Sequence, residues 1–346
     1  MSEGAVIVTR ANAADRDAWD AYLDSKLRVA PFAVSGWADV LRACYPAEPV
    51  LFAARNRAGR MCGALFAYRR SGHRDGTLYS PPFGLVADDA ATIRAILDAV
   101  HDFAVSEGVA RTIITSGDQF AETPYHGWTK TTLVKTIPSD ETAALEGLRK
   151  KTRYTIRRAA RFGIGVRQGF EHLPGFYAAY EARMSEKCLP FHSLSFFERM
   201  AETLKDRAQL YAAGKDGKIL GGMIFLLSAD TAAYHFNATF SDALSLGVNH
   251  LLMWEAIRDF IRRGITHLDL GESRPGGGVH EFKTIQIGGK PRDVFYYDAM
   301  RRAGEPAAPG AALPLGYRLG NRIVPLLPAR WRRPFLHANR RLERLL

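Results

Sequence analysis

Leu51-Phe-Ala-Ala-Arg-Asn-Arg-Ala-Gly-Arg-Met-Cys-Gly-Ala-Leu-Phe66 recurs as Leu210-Tyr-Ala-Ala-Gly-Lys-Asp-Gly-Lys-Ile-Leu-Gly-Gly-Met-Ile-Phe225. Each copy is an apolar run, a polar turn containing glycine and a second apolar run, the pattern of a β-hairpin. Upstream, Tyr22, Pro31-Phe32 and Trp37 are echoed by Tyr180, Pro190-Phe191 and Phe196, at separations of 158, 159 and 159 residues. Downstream, the helical stretch Ile93–Phe103, Gly108 and Thr112-Ile-Ile114 is matched by Leu251–Phe260, Gly264 and Leu268-Asp-Leu270, with Asp102 and Asp259 157 apart. Five features in one order at nearly constant offset indicate a duplicated unit. Leu251, Leu252, Ala256, Ile257, Phe260 and Ile261 form a core-facing helical stripe, and Gly264 is placed to end it. The expected class is α/β (α+β): two tandem units, each a mixed, mostly antiparallel sheet flanked by helices. The repeat divides the chain into a first unit at residues 1–147, a basic connector at 148–168, a second unit at 169–302 and a tail at 303–346.

The 346 residues suffice for two such units, and 47% hydrophobic with 24% charged residues is a globular composition. The formal net charge of +11 favours a polyanionic partner: nucleic acid, a phosphorylated substrate or an anionic membrane face. The first ten residues lack the basic start and apolar core of a signal peptide. The most apolar run, Ile219–Leu227, is far short of the roughly 20 residues of a spanning helix. Cys44, Cys62 and Cys188 are scattered and unpaired in spacing, so neither a disulfide framework nor a metal site is expected. The expected location is the cytoplasm or, peripherally, the inner face of the cell membrane.

The connector concentrates positive charge. Arg149, Lys150, Lys151, Arg153, Arg157, Arg158 and Arg161 fall within Leu148–Phe162 with no acidic residue. At about 100° per residue, Leu148, Thr152, Ile156, Ala159 and Phe162 make one apolar face and the cations cover the rest. Like charges three or four apart repel by a few tenths of a kcal/mol per pair. Two readings remain: a footprint for phosphates, or a structural face that is either solvated or paired with acids elsewhere.

The segment richest in chemistry is Leu268-Asp-Leu-Gly-Glu-Ser-Arg-Pro-Gly-Gly-Gly-Val-His-Glu-Phe-Lys283. A strand ending in Asp269 enters a glycine-rich loop that leads to Lys283. Glu272, Arg274, His280 and Glu281 gather at the carboxyl end of that strand, where α/β sheets bind ligands. Gly277 and Gly278 permit close backbone approach to a ligand, or make an ordinary turn.

The duplication, the helix Lys151-Thr-Arg-Tyr-Thr-Ile-Arg157 and the run Asp269-x-Gly271…Gly278…Phe282-Lys283 resemble the FemABX family over residues 5 to 300. These are non-ribosomal peptidyl transferases that add amino acids from aminoacyl-tRNA to peptidoglycan precursors. The chain is most similar to the FemAB-related proteins of exopolysaccharide and exosortase loci. The resemblance implies two tandem GNAT-like domains and a functional lysine at Lys283, preceded by Phe282, that offsets charge developing at the aminoacyl ester. Asp269 or Glu272 would take the amine's proton. Phe282, Arg274, Gly277, Gly278 and His192, which follows Pro190-Phe191, would contact substrate. Lys150, Lys151, Arg153, Arg157, Arg158 and Arg161 would contact the tRNA. No resident cofactor is implied, since the aminoacyl-tRNA is a co-substrate, and DNA is not among the expected partners. The residues after Trp37, Ala38-Asp-Val-Leu-Arg42, lack the lysine of peptidoglycan-precursor enzymes, which weighs against a UDP-linked muramyl peptide acceptor.

A CoA-dependent N-acyltransferase of the same fold is the nearest rival. It predicts an Arg/Gln-x-x-Gly-x-Gly/Ala turn before the second amphipathic helix. That place here is Leu244-Ser-Leu-Gly-Val-Asn249, without the leading polar or the final small residue. A non-catalytic RNA-binding or assembly module is a third reading, in which Lys283 would be dispensable. The tail, residues 303–346, begins as a Pro/Ala/Gly linker. Residues 315–346 interleave arginines with Trp331, Phe335 and Leu336, suiting contact with anionic lipid and a lipid-linked acceptor.

Overall fold

The computed structural model describes residues 6–27, 31–70, 76–117 and 123–303. The lipid-contacting segment read at 315–346 lies outside them. The first half of the chain runs β1 (Ile7–Arg10), α1 (Arg16–Asp24), α2 (Trp37–Cys44), β2 (Ala47–Arg55), β3 (Met61–Arg70), β4 (Thr77–Tyr79), β5 (Leu85–Ala87), α3 (Ala90–Ser106), β6 (Arg111–Ser116) and β7 (Tyr125–Thr136). Two helices, α4 (Glu141–Glu146) and α5 (Lys150–Arg161), lead onward. The second half runs β8 (Gly165–Gln168), α6 (Leu173–Glu186), α7 (Leu194–Leu204), β9 (Ala208–Lys215), β10 (Lys218–Leu227), β11 (Thr231–Thr239), α8 (Val248–Arg262), β12 (His267–Asp269), α9 (Gly278–Glu281) and β13 (Lys290–Arg302).

The repeated hairpins are β2–β3 and β9–β10, both antiparallel. The duplication begins earlier than the side-chain matches indicated. Strands β1 and β8 start at Ile7 and Gly165 and pair with the equivalent strands β2 and β9. The basic connector therefore ends at Arg161 as a helix, and residues 165–168 already belong to the second sheet half.

All the strands join one sheet, ordered β1-β2-β3-β4-β6-β13-β7-β12-β11-β10-β9-β8, with β5 bridging β3 and β6. Under the repeat this order is a palindrome, and its centre is an exchange. The last strand of each half leaves its own neighbours: β13 pairs with β6, and β7 pairs with β12. Boundaries at 147 and 169 thus follow the chain but do not divide the sheet. Backbone pairing is indifferent to which half supplies the strand, so local pattern carries no record of the exchange.

An Asp–Thr pair pins each seam. Asp298 of β13 accepts from the Thr112 backbone N–H (3.0 Å) and hydroxyl (3.2 Å) of β6. Asp269 of β12 accepts from the Thr132 hydroxyl of β7 at 2.7 Å. Both carboxylates are buried, and their hydrogen bonds offset the cost of removing charge from water.

Helices cover both faces. On one, α1, α2, α6 and α7 share a cluster spanning both halves, in which the repeat-equivalent rings Trp37 and Phe196 stack at 6.3 Å. On the other, α3 packs over the first half, and α5 with α8 over the second. Phe162, assigned to the apolar face of the connector, is instead 46% exposed, with the Arg158 guanidinium 5.9 Å from its ring centroid. It follows the last helical residue, so the helical angle that would bury it no longer applies. No helix among the described residues is long and apolar enough to cross a membrane.

Candidate active site

Strands β11 and β12 run parallel for three residues, Thr231–Ala233 against His267–Asp269, and then part. β11 continues to Thr239, while the chain after Asp269 turns away through Gly271, whose φ of +72° suits glycine. Into the resulting wedge points Lys283, carried by a π-helical turn, Phe282–Gln286. Such turns reorient one side chain relative to a regular helix.

Lys283 is 6% exposed. Its ammonium donates to the Glu272 carbonyl at 2.9 Å and the Gly271 carbonyl at 3.3 Å, and lies 5.8 Å from the Tyr234 ring centroid on β11. Burial lowers its pKa to about 8, against the opposing pull of Asp269 and Glu272. An ammonium has three donors, so two on carbonyls leave one for a ligand.

Asp269 holds the loop that Lys283 caps, accepting from the Gly271 N–H at 2.7 Å as well as from Thr132. Burial raises its pKa, while those hydrogen bonds and the charges of Arg292 and Lys283 act the other way. Glu272 is exposed. Its carboxylate accepts from the Tyr296 hydroxyl at 2.6 Å and lies 3.8 Å from the Lys130 ammonium. Tyr296 stacks on Trp128 at 5.3 Å, and Lys130 stands 4.5 Å over the Tyr296 ring. Burial and the Glu272 carboxylate hold the Tyr296 phenol well above its usual range. The exchanged strands β7 and β13 thus supply Trp128, Lys130, Thr132, Tyr296 and Arg292 around a loop of the second half. Sequence reasoning missed all five. The alternation Trp128-Thr-Lys-Thr-Thr132 marks a one-sided strand, but nothing local says that it faces Asp269.

Other expected site residues lie elsewhere. Phe282 packs against His250 of α8, ring centroids 5.4 Å apart, and so anchors the turn rather than lining the wedge. Arg274, Gly277 and Gly278 are exposed on the outer limb of the loop, where Gly277 and Gly278 open α9. His192 is corrected most: it is 1% exposed, stacks on Phe196 at 3.8 Å and meets the Tyr45 hydroxyl. The aromatic density of Phe191, Phe196 and Phe197 around it was the available signal for a core position.

The basic helix α5 packs beside the wedge. The Thr152 hydroxyl donates to the Gln286 carbonyl at 3.3 Å, the Arg158 guanidinium donates to the Ser245 carbonyl at 2.6 Å, and Thr155 abuts Gly247. A Cβ at Gly247 would lie 2.7 Å from the Thr155 methyl, so glycine permits this approach. Lys150, Lys151, Arg157 and Arg161 are exposed and Arg153 and Arg158 half-buried. Among the described residues none of the seven connector cations enters an ion pair, which leaves a phosphate footprint or a solvated face. The first turn of α5 holds Lys150 and Lys151 with no acid and no side-chain cap, against the sense of the helix dipole. Among the described residues no cluster of His, Cys, Asp or Glu could hold a metal ion.

Residues 147–284 match the family model of the acetyltransferase (GNAT) domain. Among solved structures, FemX superposes with a TM-score of 0.68 at 14% identity, covering 84% of this chain and 97% of that one. L-PGS from Bacillus licheniformis gives 0.56 at 14% identity, over 92% and 98% of the two chains. A tandem GNAT protein from the clavulanic acid biosynthesis pathway gives 0.51 at 14% identity, over 88% and 100%. No curated protein matches the chain. At such identities the likeness is one of fold. The chain shares its fold with FemX, and its acetyltransferase (GNAT) domain at residues 147–284 classes it as a transferase.

Proposed function

We propose that the protein is a cytoplasmic aminoacyltransferase that moves an amino acid from aminoacyl-tRNA to an amine of a cell-envelope or exopolysaccharide precursor. The observation that carries this reading is the Lys283 ammonium, buried in the β11–β12 wedge beside a helix whose cations enter no ion pair among the described residues. In the reaction the acceptor nitrogen attacks the ester carbonyl and its π electrons move to oxygen. The remaining Lys283 N–H donates to that oxyanion in a site largely shielded from water. The oxyanion then collapses, the C–O bond to the ribose breaks, and the ribose hydroxyl leaves with a proton. Glu272, exposed at the mouth of the wedge, accepts the proton lost by the amine and passes it to the departing ribose oxygen. Asp269 is a positioning residue: it holds the Gly271 N–H and so sets the carbonyls that orient Lys283. No protein nucleophile is needed, because orientation and charge stabilisation suffice for attack on an activated ester.

A CoA-dependent N-acyltransferase is the second reading, favoured by the GNAT-domain match. Against it, the turn before α8, where a diphosphate would need exposed backbone amides, is packed under α5 through Thr155 and Arg158.

The test is incubation with bulk tRNA charged with labelled amino acids, together with isolated envelope and polysaccharide precursors. RNase-sensitive label on an acceptor amine is the expected result. Label arriving from acetyl-CoA, with RNase without effect, sinks the first reading and promotes the second.

A further inference from the structure

The outer side of α5 is a separate feature that the chemistry at Lys283 leaves unused. Between α4, α5 and α8 lies a groove of about 780 Å3 lined by Leu145, Lys150, Arg153, Tyr154, Arg157 and Trp254. Tyr154 is 54% exposed, unusual for an aromatic on so polar a helix, while Trp254 is otherwise buried and shows only 8% of its surface. The groove has two acidic neighbours. Glu141 is held by Arg258 at 2.7 Å and Arg262 at 3.4 Å, and Glu146 stands on the rim, its backbone carbonyl taking a hydrogen bond from Arg153 at 2.8 Å.

Helical geometry fixes where this groove lies relative to the wedge. Thr152 faces the Lys283 turn through its bond to Gln286. At about 100° per residue, Lys150, Tyr154, Arg157 and Arg161 fall roughly 140–200° around the axis from Thr152. The groove is therefore on the far side of a helix about 10–12 Å across. A chain whose terminal ester lies at Lys283 must pass around α5 before it reaches the groove.

An aromatic face flanked by unpaired cations matches one ligand chemistry well: a nucleotide whose base stacks and whose phosphate is neutralised. An anionic bilayer fits poorly, because the groove is concave and carries Glu146 on its rim. We propose that the groove seats an unpaired nucleotide of the tRNA donor, upstream of the terminal adenosine, with its base on Tyr154 and Trp254 and its phosphate on Lys150 and Arg157. The proposal rests on the aminoacyl-tRNA reading and adds the location of a second contact.

The test uses the full chain and two donors: a charged acceptor-stem RNA with an unpaired 3′ end, and an aminoacylated dinucleotide too short to round the helix. Tyr154→Ala should weaken binding of the stem RNA about tenfold and leave turnover of the dinucleotide within twofold. Tyr154→Phe should bind as the wild type does, because the π face is retained. Lys150→Gln and Arg157→Gln should each flatten the slope of log K against log salt by about 0.7. As Tyr154 is exposed, its variants should melt with the wild type. Unchanged stem-RNA binding in Tyr154→Ala overturns the groove, as does an equal loss with the dinucleotide or a loss in Tyr154→Phe. Tyr154-dependent pelleting with anionic vesicles, with RNA binding unaltered, overturns it too. The donor reading fails in a different way: the wild type then transfers from neither RNA.

Discussion

The two halves treat the same structural gap in opposite ways. In the first, β4 and β6 pair in parallel over Thr77–Tyr79 and Arg111–Ile113, and β5 then returns to bridge β3 and β6, with Leu85 opposite Ser116. The gap is stitched shut by backbone. In the second, β11 and β12 part after Asp269 and no strand returns, so the gap is filled by the Lys283 side chain. The connections differ to match. The first half passes from β6 to β7 through residues 117–124, and the second passes from β12 to β13 through residues 270–289, long enough to carry α9 and the π-helical turn. One duplicated scaffold thus yields a closed half and a half that presents a cation, and the proposed chemistry uses the second.

The severest way to break the comparison is to separate the halves. Residues 1–147 expressed alone lack β13, so β6 and β7 lose a shared neighbour. That fragment should show no cooperative thermal transition, and co-expression with residues 148–303 should restore one. A transition in the lone fragment would mean that β7 can close its own half. Next, Lys283→Met should lower kcat/KM for aminoacyl transfer by about 10²–10³, the usual cost of removing an oxyanion donor. Retained activity would leave the non-catalytic reading standing. The two seams sharpen the assignment. Asp298→Ala should cost about 3 kcal/mol in urea unfolding by orphaning the Thr112 donors, with kcat of the folded enzyme unchanged. Asp269→Ala should lower both stability and kcat, since only that seam also holds Gly271.

The smallest effect is with pH. Lys283 is protonated below about 8, so the transfer rate should fall as pH rises through that value. Its folded pKa lies below the unfolded one, so folding disfavours the proton. Stability relative to Lys283→Met should therefore rise between about pH 8 and pH 10, by roughly 2 kcal/mol. A flat difference would place Lys283 in a wetter setting than the wedge.

The duplication was legible because hairpins and amphipathic helices write their periodicity into local sequence. Leu51–Phe66 and Leu210–Phe225 became β2–β3 and β9–β10. Lys283 and Asp269 could be singled out because a glycine-rich loop after a strand is itself a local pattern. The exchange of β7 and β13 could not be read, since Tyr125–Thr136 has the same alternation whichever strand lies beside it. That is why Lys130, Thr132 and Tyr296 went unseen. His192 shows the converse, a titratable residue given a ligand's role while its aromatic neighbours already marked an interior position. Phe162 failed for a simpler reason, as helical phase holds only while the helix lasts.

The bond between Thr112 and Asp298 joins residues 186 apart in the chain. A ribosome adding roughly 5–20 residues per second needs on the order of ten seconds or more to make that stretch. Throughout that interval β6 has emerged without its partner, presenting a bare strand edge to a crowded solution. Nascent chains of this design depend on holding such an edge apart from other chains until the last strand arrives, a demand that a pair of self-contained halves would never place on the cell.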